Sequence, residues 1–161
     1  MGHHGATTTR MKRLSYKETS PTTYRALLAL EEHVRKCSLE RGLVELVYLR
    51  VSQINGCAFC VDMHDKDLRA AGESPERLAL LCVWHEAPSF TPRERAALAY
   101  AEAVTRLGHD AVPDDVYEAA RAAFGDTGLI ELTLGVAMIN TWNRFGVAFR
   151  SVPGAYQPRP R

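Results

Sequence analysis

An all-α bundle of about six to seven helices, assembled into an oligomer, is the fold this sequence predicts. Three observations carry that expectation. Apolar residues recur at helical spacing along most of the chain. Cap and stop residues bracket seven segments joined by short connections. No segment reads as a confident strand, and helices in that arrangement must bury their apolar stripes against one another.

With 161 residues the chain can bury a substantial core as one domain. Its 46% hydrophobic and 24% charged residues are ordinary for a globular protein. A formal net charge of +1 without a long basic run argues against nucleic acid as a partner. Four cysteines are too few for a disulfide scaffold. The most apolar stretch, Leu129 to Trp142, contains Glu131 and is shorter than a membrane span needs, so no membrane partner is expected. No apolar leader is visible, which makes the cytoplasm the expected compartment.

Residues 1–19 are expected to be a disordered arm, residues 20–152 the helical domain, and residues 153–161 a loose, proline-bearing tail. Pro21 suits a first helical turn, and Tyr24, Leu27, Leu28, Leu30 and Val34 continue a helix to about Cys37. Gly42 breaks the chain. Val44, Leu46, Val47, Leu49 and Val51 then mark a helix from Leu43 to about Ile54, β-branched in places but too long for a typical strand. Glu45 lies among its apolar residues, either at a solvated edge or as a buried functional group.

The next helix opens at Asn55, a good N-cap type, and stops at Gly72. Ser74-Pro75-Glu76 starts another, which ends before Pro88. Thr91-Pro92-Arg93-Glu94 is a capping box that opens an alanine-rich helix to Leu107. A short helix spans Pro113 to Phe124 and Gly125 closes it. Asp126 or Thr127 caps a final helix to about Phe149, apolar nearly all round, as befits the centre of a core or an assembly.

The stretch from Asn55 to Gly72 carries the chemistry. Cys57 and Cys60 are three apart and share a helix face; His64 is four further along the same face. Two thiols and an imidazole on one edge suit thiol redox chemistry or most of a metal site. The helix N-terminus favours the thiolate at Cys57, whereas His64 favours it at Cys60. Asp62, Asp65, Lys66, Asp67 and Arg69 read as a solvated face with favourable four-apart pairs. Cys37, His33, Cys82 and His85 read as packing or surface residues.

The run Glu45, Cys57-x-x-Cys60 and His64 resembles the core motif of AhpD-like alkylhydroperoxidases, within the carboxymuconolactone decarboxylase superfamily. The phrases Arg50 to Cys57, Gly72-Glu73, Arg93 to Ala99 and Ile139 to Arg144 resemble single-domain members, so the likeness spans roughly residues 20 to 150. It implies an all-helical fold assembled as trimers or hexamers, with peroxidase or disulfide-reductase chemistry. Cys60 would attack the peroxide, Cys57 would resolve it, and Glu45 and His64 would relay the proton. Lipoyl-type dithiols or a peroxiredoxin partner would supply electrons, with no bound cofactor. Founding members carry a His immediately before the second Cys, whereas this chain has Phe59.

Two geometric expectations follow from the residues themselves. First-turn positions three apart are close enough for a reversible Cys57–Cys60 disulfide. If the helices form a hairpin about Asn55-Gly56, Glu45 lies roughly 16 Å back from the turn and His64 roughly 12 Å forward, nearly level. The order is then carboxylate, imidazole, thiol, which orients a base. Three other readings stand beside the thiol oxidoreductase. One is a structural metal site of Cys57, Cys60 and His64 completed by Glu45, Cys82 or His85. The others are decarboxylase-type lactone chemistry and an assembly protein with incidental thiols.

Overall fold

The computed structural model describes residues 11–109 and 111–158. Seven α-helices follow in order: α1 (Tyr16–Thr19), α2 (Pro21–Arg35), α3 (Arg41–Ile54), α4 (Ala58–Ala70), α5 (Pro75–Leu80), α6 (Pro92–Arg106) and α7 (Asp114–Ala148). A short 3₁₀ turn at Leu81–Val83 extends α5. There is no strand among the described residues, so the all-α expectation is met. Of the arm expected at 1–19, residues 1–10 lie outside the described residues. Within the remainder α1 forms, and the Arg13 backbone N–H donates to the Phe149 carbonyl at 3.2 Å.

The middle of the bundle is α3, buried on nearly every side. Val47, Tyr48 and Val51 face Ala97 and Ala101 of α6 and Leu132, Val136 and Ile139 of α7. Leu46 and Leu49 face the other way, into a second cluster with Leu68 of α4 and Leu78, Leu81, Trp84 and Phe90. Burying each such leucine contributes about 1.5–3 kcal/mol, and the two clusters together clamp α3. Ala97 and Ala101 are fully buried; their small side chains let α6 approach its neighbours closely.

The cap signals behave as read at two helices. Ser74 Oγ accepts from the Arg77 N–H at 3.1 Å, and Thr91 with Glu94 forms the reciprocal capping box. Asn55 differs. It adopts helical angles at the C-cap of α3, and Cys57 is the N-cap of α4. Asn55 instead donates from Nδ2 to Asn140 Oδ1 at 3.0 Å and Asn143 Oδ1 at 2.9 Å, both on α7. Asn143 in turn donates to Ser52 Oγ at 3.0 Å. Gly56, at φ 64°, makes the turn between α3 and α4 that a side chain would strain. A buried polar seam thus fixes the α3–α4 hairpin against α7.

The last two expected helices form one run, α7, broken only at Gly125, where φ 68° and ψ 174° interrupt helical geometry. By length and composition α7 could cross a membrane. Here it lies in the core, with Leu132, Val136, Met138 and Ile139 buried.

The charge run on α4 does more than meet water. Lys66 Nζ donates to the carbonyls of Gly154 and Tyr156 at 3.1 and 3.2 Å, and the Gly154 N–H donates to Asp62 Oδ2 at 2.9 Å. Tyr156 O–H donates to Asp67 Oδ1 at 2.8 Å. Residues 153–158, expected to be loose, therefore lie along α4.

Candidate active site

The turn at Gly56 delivers Cys57 to the N-cap of α4 and Cys60 to its first turn. Their Cα atoms are 5.3 Å apart and their sulfurs are bonded as a disulfide, within the span a disulfide bridges. Both residues are buried. Helix α7 crosses the pair at Gly146. A Cβ added there would lie 2.7 Å from Cys57 Sγ and 3.4 Å from Cys60 Sγ. A glycine inside a helix costs about 1 kcal/mol relative to alanine; at this position it makes room for the sulfurs.

One turn beyond Cys60, His64 is 1% exposed. Its Nδ1 is 2.8 Å from Oε2 of Glu45, which reaches across from the second turn of α3. The hairpin geometry read from the sequence is thus realised, with Glu45 buried rather than at a solvated edge. Burial raises the Glu45 carboxyl, but the His64 hydrogen bond and the charges of His64, Arg35 and Arg41 outweigh it, leaving the group below its ordinary range. An ionised Glu45 accepts from Nδ1–H, so in the neutral ring Nε2 carries the lone pair. That Nε2 is buried and has no hydrogen-bond partner among the described residues. The Tyr48 ring meets the imidazole edge-on, 5.3 Å between centroids.

Several contributors to the site had escaped the sequence reading. Glu31, on α2, accepts from Trp142 Nε1 at 3.0 Å and from Arg35 Nε at 2.8 Å. Arg35 Nη1 also lies 3.9 Å from Glu45 Oε1, so one guanidinium stands between two buried carboxylates. Burial and the charges of Glu31 and Glu45 raise the Tyr48 hydroxyl well above its ordinary value and keep it protonated. Four-apart spacing could have suggested the Glu31–Arg35 pair. Nothing local marks Trp142, 111 positions away.

These groups line a cavity of about 670 Å³. Its wall includes Cys60, His64, Glu45 and Phe59, but not Cys57. Phe59 occupies the position where the resemblance expects a histidine, so an apolar ring stands there. A smaller open depression of about 370 Å³, at His85, Glu102 and Arg106, contains no cysteine. Among the described residues, the metal-ligating atoms that come together are those of Glu45, His64 and Asp67, within 4.8 Å of one another. Neither Cys57 nor Cys60 belongs to that group. Nor do Cys82 and His85, considered as further ligands; Cys82 is exposed.

Known proteins share this arrangement of helices. The profile of the carboxymuconolactone decarboxylase family matches residues 21–103. The uncharacterised protein YdfG of Bacillus subtilis (strain 168) is 37% identical over 137 residues, covering 85% of this chain and 93% of YdfG. The crystal structure of a protein of unknown function from Agrobacterium tumefaciens, a candidate AhpD antioxidant-defence protein, is 42% identical. It has a TM-score of 0.87 and covers 91% of this chain and 100% of its own. The debrominase Bmp8, at 18% identity and a TM-score of 0.75 over 86% of this chain and 74% of its own, shares the fold. The matching profile and the YdfG relationship establish that this chain belongs to the carboxymuconolactone decarboxylase family, and the likeness to the Agrobacterium structure puts it among the AhpD-like members.

Proposed function

We propose that the protein is a thiol-dependent hydroperoxide reductase in which Cys60 is the attacking thiol, Cys57 the resolving thiol, and Glu45 with His64 the proton relay. The observation that carries this reading is the free, buried Nε2 of His64 beside a cavity that Cys60 lines and Cys57 does not. In the reduced protein, His64 Nε2 accepts the Cys60 proton and Glu45 stabilises the imidazolium. The thiolate attacks the terminal peroxide oxygen, the O–O bond breaks, and the departing alkoxide takes a proton from His64. Cys60 is left as a sulfenic acid. Cys57 then attacks the Cys60 sulfur, and water leaves as the disulfide closes.

A dithiol returns the pair to the reduced state by exchange. It is either a small molecule of lipoyl type or a protein thiol such as a peroxiredoxin. With Phe59 in place of the expected histidine, the relay rests on Glu45 and His64, and Arg35 tunes it through Glu45. The reaction needs no bound cofactor and belongs to the cytoplasm. The working form is a homo-oligomer, a trimer or hexamer; exposed Ile130 and Val147 on α7 give it apolar surface to cover.

Turnover of tert-butyl, cumene and hydrogen peroxides with dithiothreitol or dihydrolipoamide tests the reading. Wild type consumes peroxide, and Cys60→Ser falls to background. Equal turnover by both proteins would reject it.

A further inference from the structure

The cavity over Cys60 is walled by helices on most sides and by the C-terminal segment on the remaining one. That segment leaves α7 at Arg150, whose φ of 54° turns the chain, and the Ser151 N–H closes the helix end on the Gly146 carbonyl at 2.9 Å. Gly154, at φ 100°, turns it again over α4. Lys66, Asp62 and Asp67 then pin it by the four hydrogen bonds described above. Tyr156 and Pro158 thereby become part of the same wall as Cys60 and His64. Asp67, which holds the Tyr156 hydroxyl, also belongs to the tight group with Glu45 and His64. The segment is thus tied to the residues around the reacting sulfur as well as to the surface of α4.

We propose that residues 151–158 form a strap whose Tyr156 sets the size of reactant that reaches Cys60. Tyr156 is in this sense a specificity-determining residue, and the assignment rests on Cys60 being the reacting thiol. Cys60 is 2% exposed, so a reactant must come through the cavity. The helical walls are fixed by their own backbone hydrogen bonds and by the core. The strap is held by hydrogen bonds to three partly exposed side chains of α4, Lys66, Asp62 and Asp67, and such contacts open at low cost. Slender reactants use the closed cavity, whereas bulky ones must wait for the strap to lift.

Alkylation of Cys60 tests this without requiring turnover. In a background of Cys37→Ser, Cys57→Ser and Cys82→Ser, the rates with iodoacetamide and with fluorescein maleimide are compared as a ratio. Tyr156→Ala, and a chain ending at Val152, should raise the bulky-to-small ratio about tenfold, the effect of removing roughly one hydrogen bond's worth of closure. Tyr156→Phe keeps the ring but loses Asp67, and Lys66→Ala loosens the strap from outside; both should fall between. An unchanged ratio in Tyr156→Ala and the shortened chain, including equal acceleration of both reagents, would overturn the strap. If the shortened chain loses its helical circular dichroism, Tyr156→Ala decides alone. A raised ratio in a protein that turns over no peroxide would sink the reductase reading and leave the strap standing.

Discussion

Two buried glutamates, Glu45 on α3 and Glu102 on α6, each meet a partner on a neighbouring helix, yet they are satisfied in opposite ways. Glu102 Oε1 accepts from Arg50 Nε at 2.7 Å and Trp84 Nε1 at 2.8 Å, and Oε2 accepts from Arg106 at 2.6 Å. That network is closed, and it borders a depression with no cysteine. Glu45 fixes His64 through Nδ1 and leaves Nε2 buried without a partner among the described residues. A buried polar atom without a partner costs about 1–3 kcal/mol. A fold that needed only a stable carboxylate would have closed the second network as it closed the first. On the proposed reading, the difference separates a structural brace from a site kept open for chemistry.

The largest effect should come from breaking the brace. Arg50 is 8% exposed and Glu102 6%. Glu102→Ala leaves the guanidinium buried without its counter-charge, a loss of about 3–5 kcal/mol. Urea denaturation should register it as a lower midpoint, while reduced Cys60 in the folded fraction alkylates at its wild-type rate. A slowed alkylation at full folding would merge the two networks into one.

Opening the other network should do the reverse. His64→Gln removes the base but keeps a polar side chain of similar reach. Alkylation of Cys60 at neutral pH should fall by about 10²-fold, at the lower end of what a positioned base contributes. Stability should change little, because the unpaired nitrogen disappears with the ring. Glu45→Gln should give a smaller fall, since an amide still fixes Nδ1–H but does not stabilise the imidazolium. If neither substitution moves the rate or its pH midpoint, Cys60 is activated by something other than this pair.

How far each network could be read from the sequence follows the same division. The edge that carries Cys57, Cys60 and His64 was legible because the three lie within about two turns of one helix, where spacing alone fixes a shared face. Glu45 followed from helix rise and one tight turn. Asn55 was misleading, because a residue suited to an N-cap is equally suited to reach across a bundle. It spends its amide on Asn140 and Asn143, far off in the sequence. Gly146 carried a faint signal, a glycine within an apolar helix, but nothing local said that sulfur lay against it. The strap was hidden for another reason. Its partners for Lys66 and Asp62 are backbone groups of residues 154 and 156, which any sequence provides. The brace was invisible too, since Arg50 and Glu102 are 52 positions apart.

The smallest effect is also the sharpest separator of the two glutamates. Burial raises the Glu102 carboxyl, but hydrogen bonds from Trp84 and Arg50, the Arg50 charge and the Arg106 hydrogen bond together hold it below its ordinary range. Glu45 is likewise held below that range. Both carboxylates therefore titrate lower in the folded chain than in the unfolded one. Their contribution to stability is complete above the unfolded value, about pH 4.3, and is lost as pH falls through the folded values. In that window each group makes the unfolded chain bind up to one more proton, so each adds a slope of at most about 1.4 kcal/mol per pH unit. Glu102→Gln and Glu45→Gln should each flatten the fall in urea midpoint below about pH 4.5. Only Glu45→Gln should also slow Cys60 alkylation at neutral pH. Equal acid slopes in wild type and both variants would mean that neither carboxylate is held down by its network. A shared loss of alkylation would mean that Glu102 reaches the thiol through α3 after all.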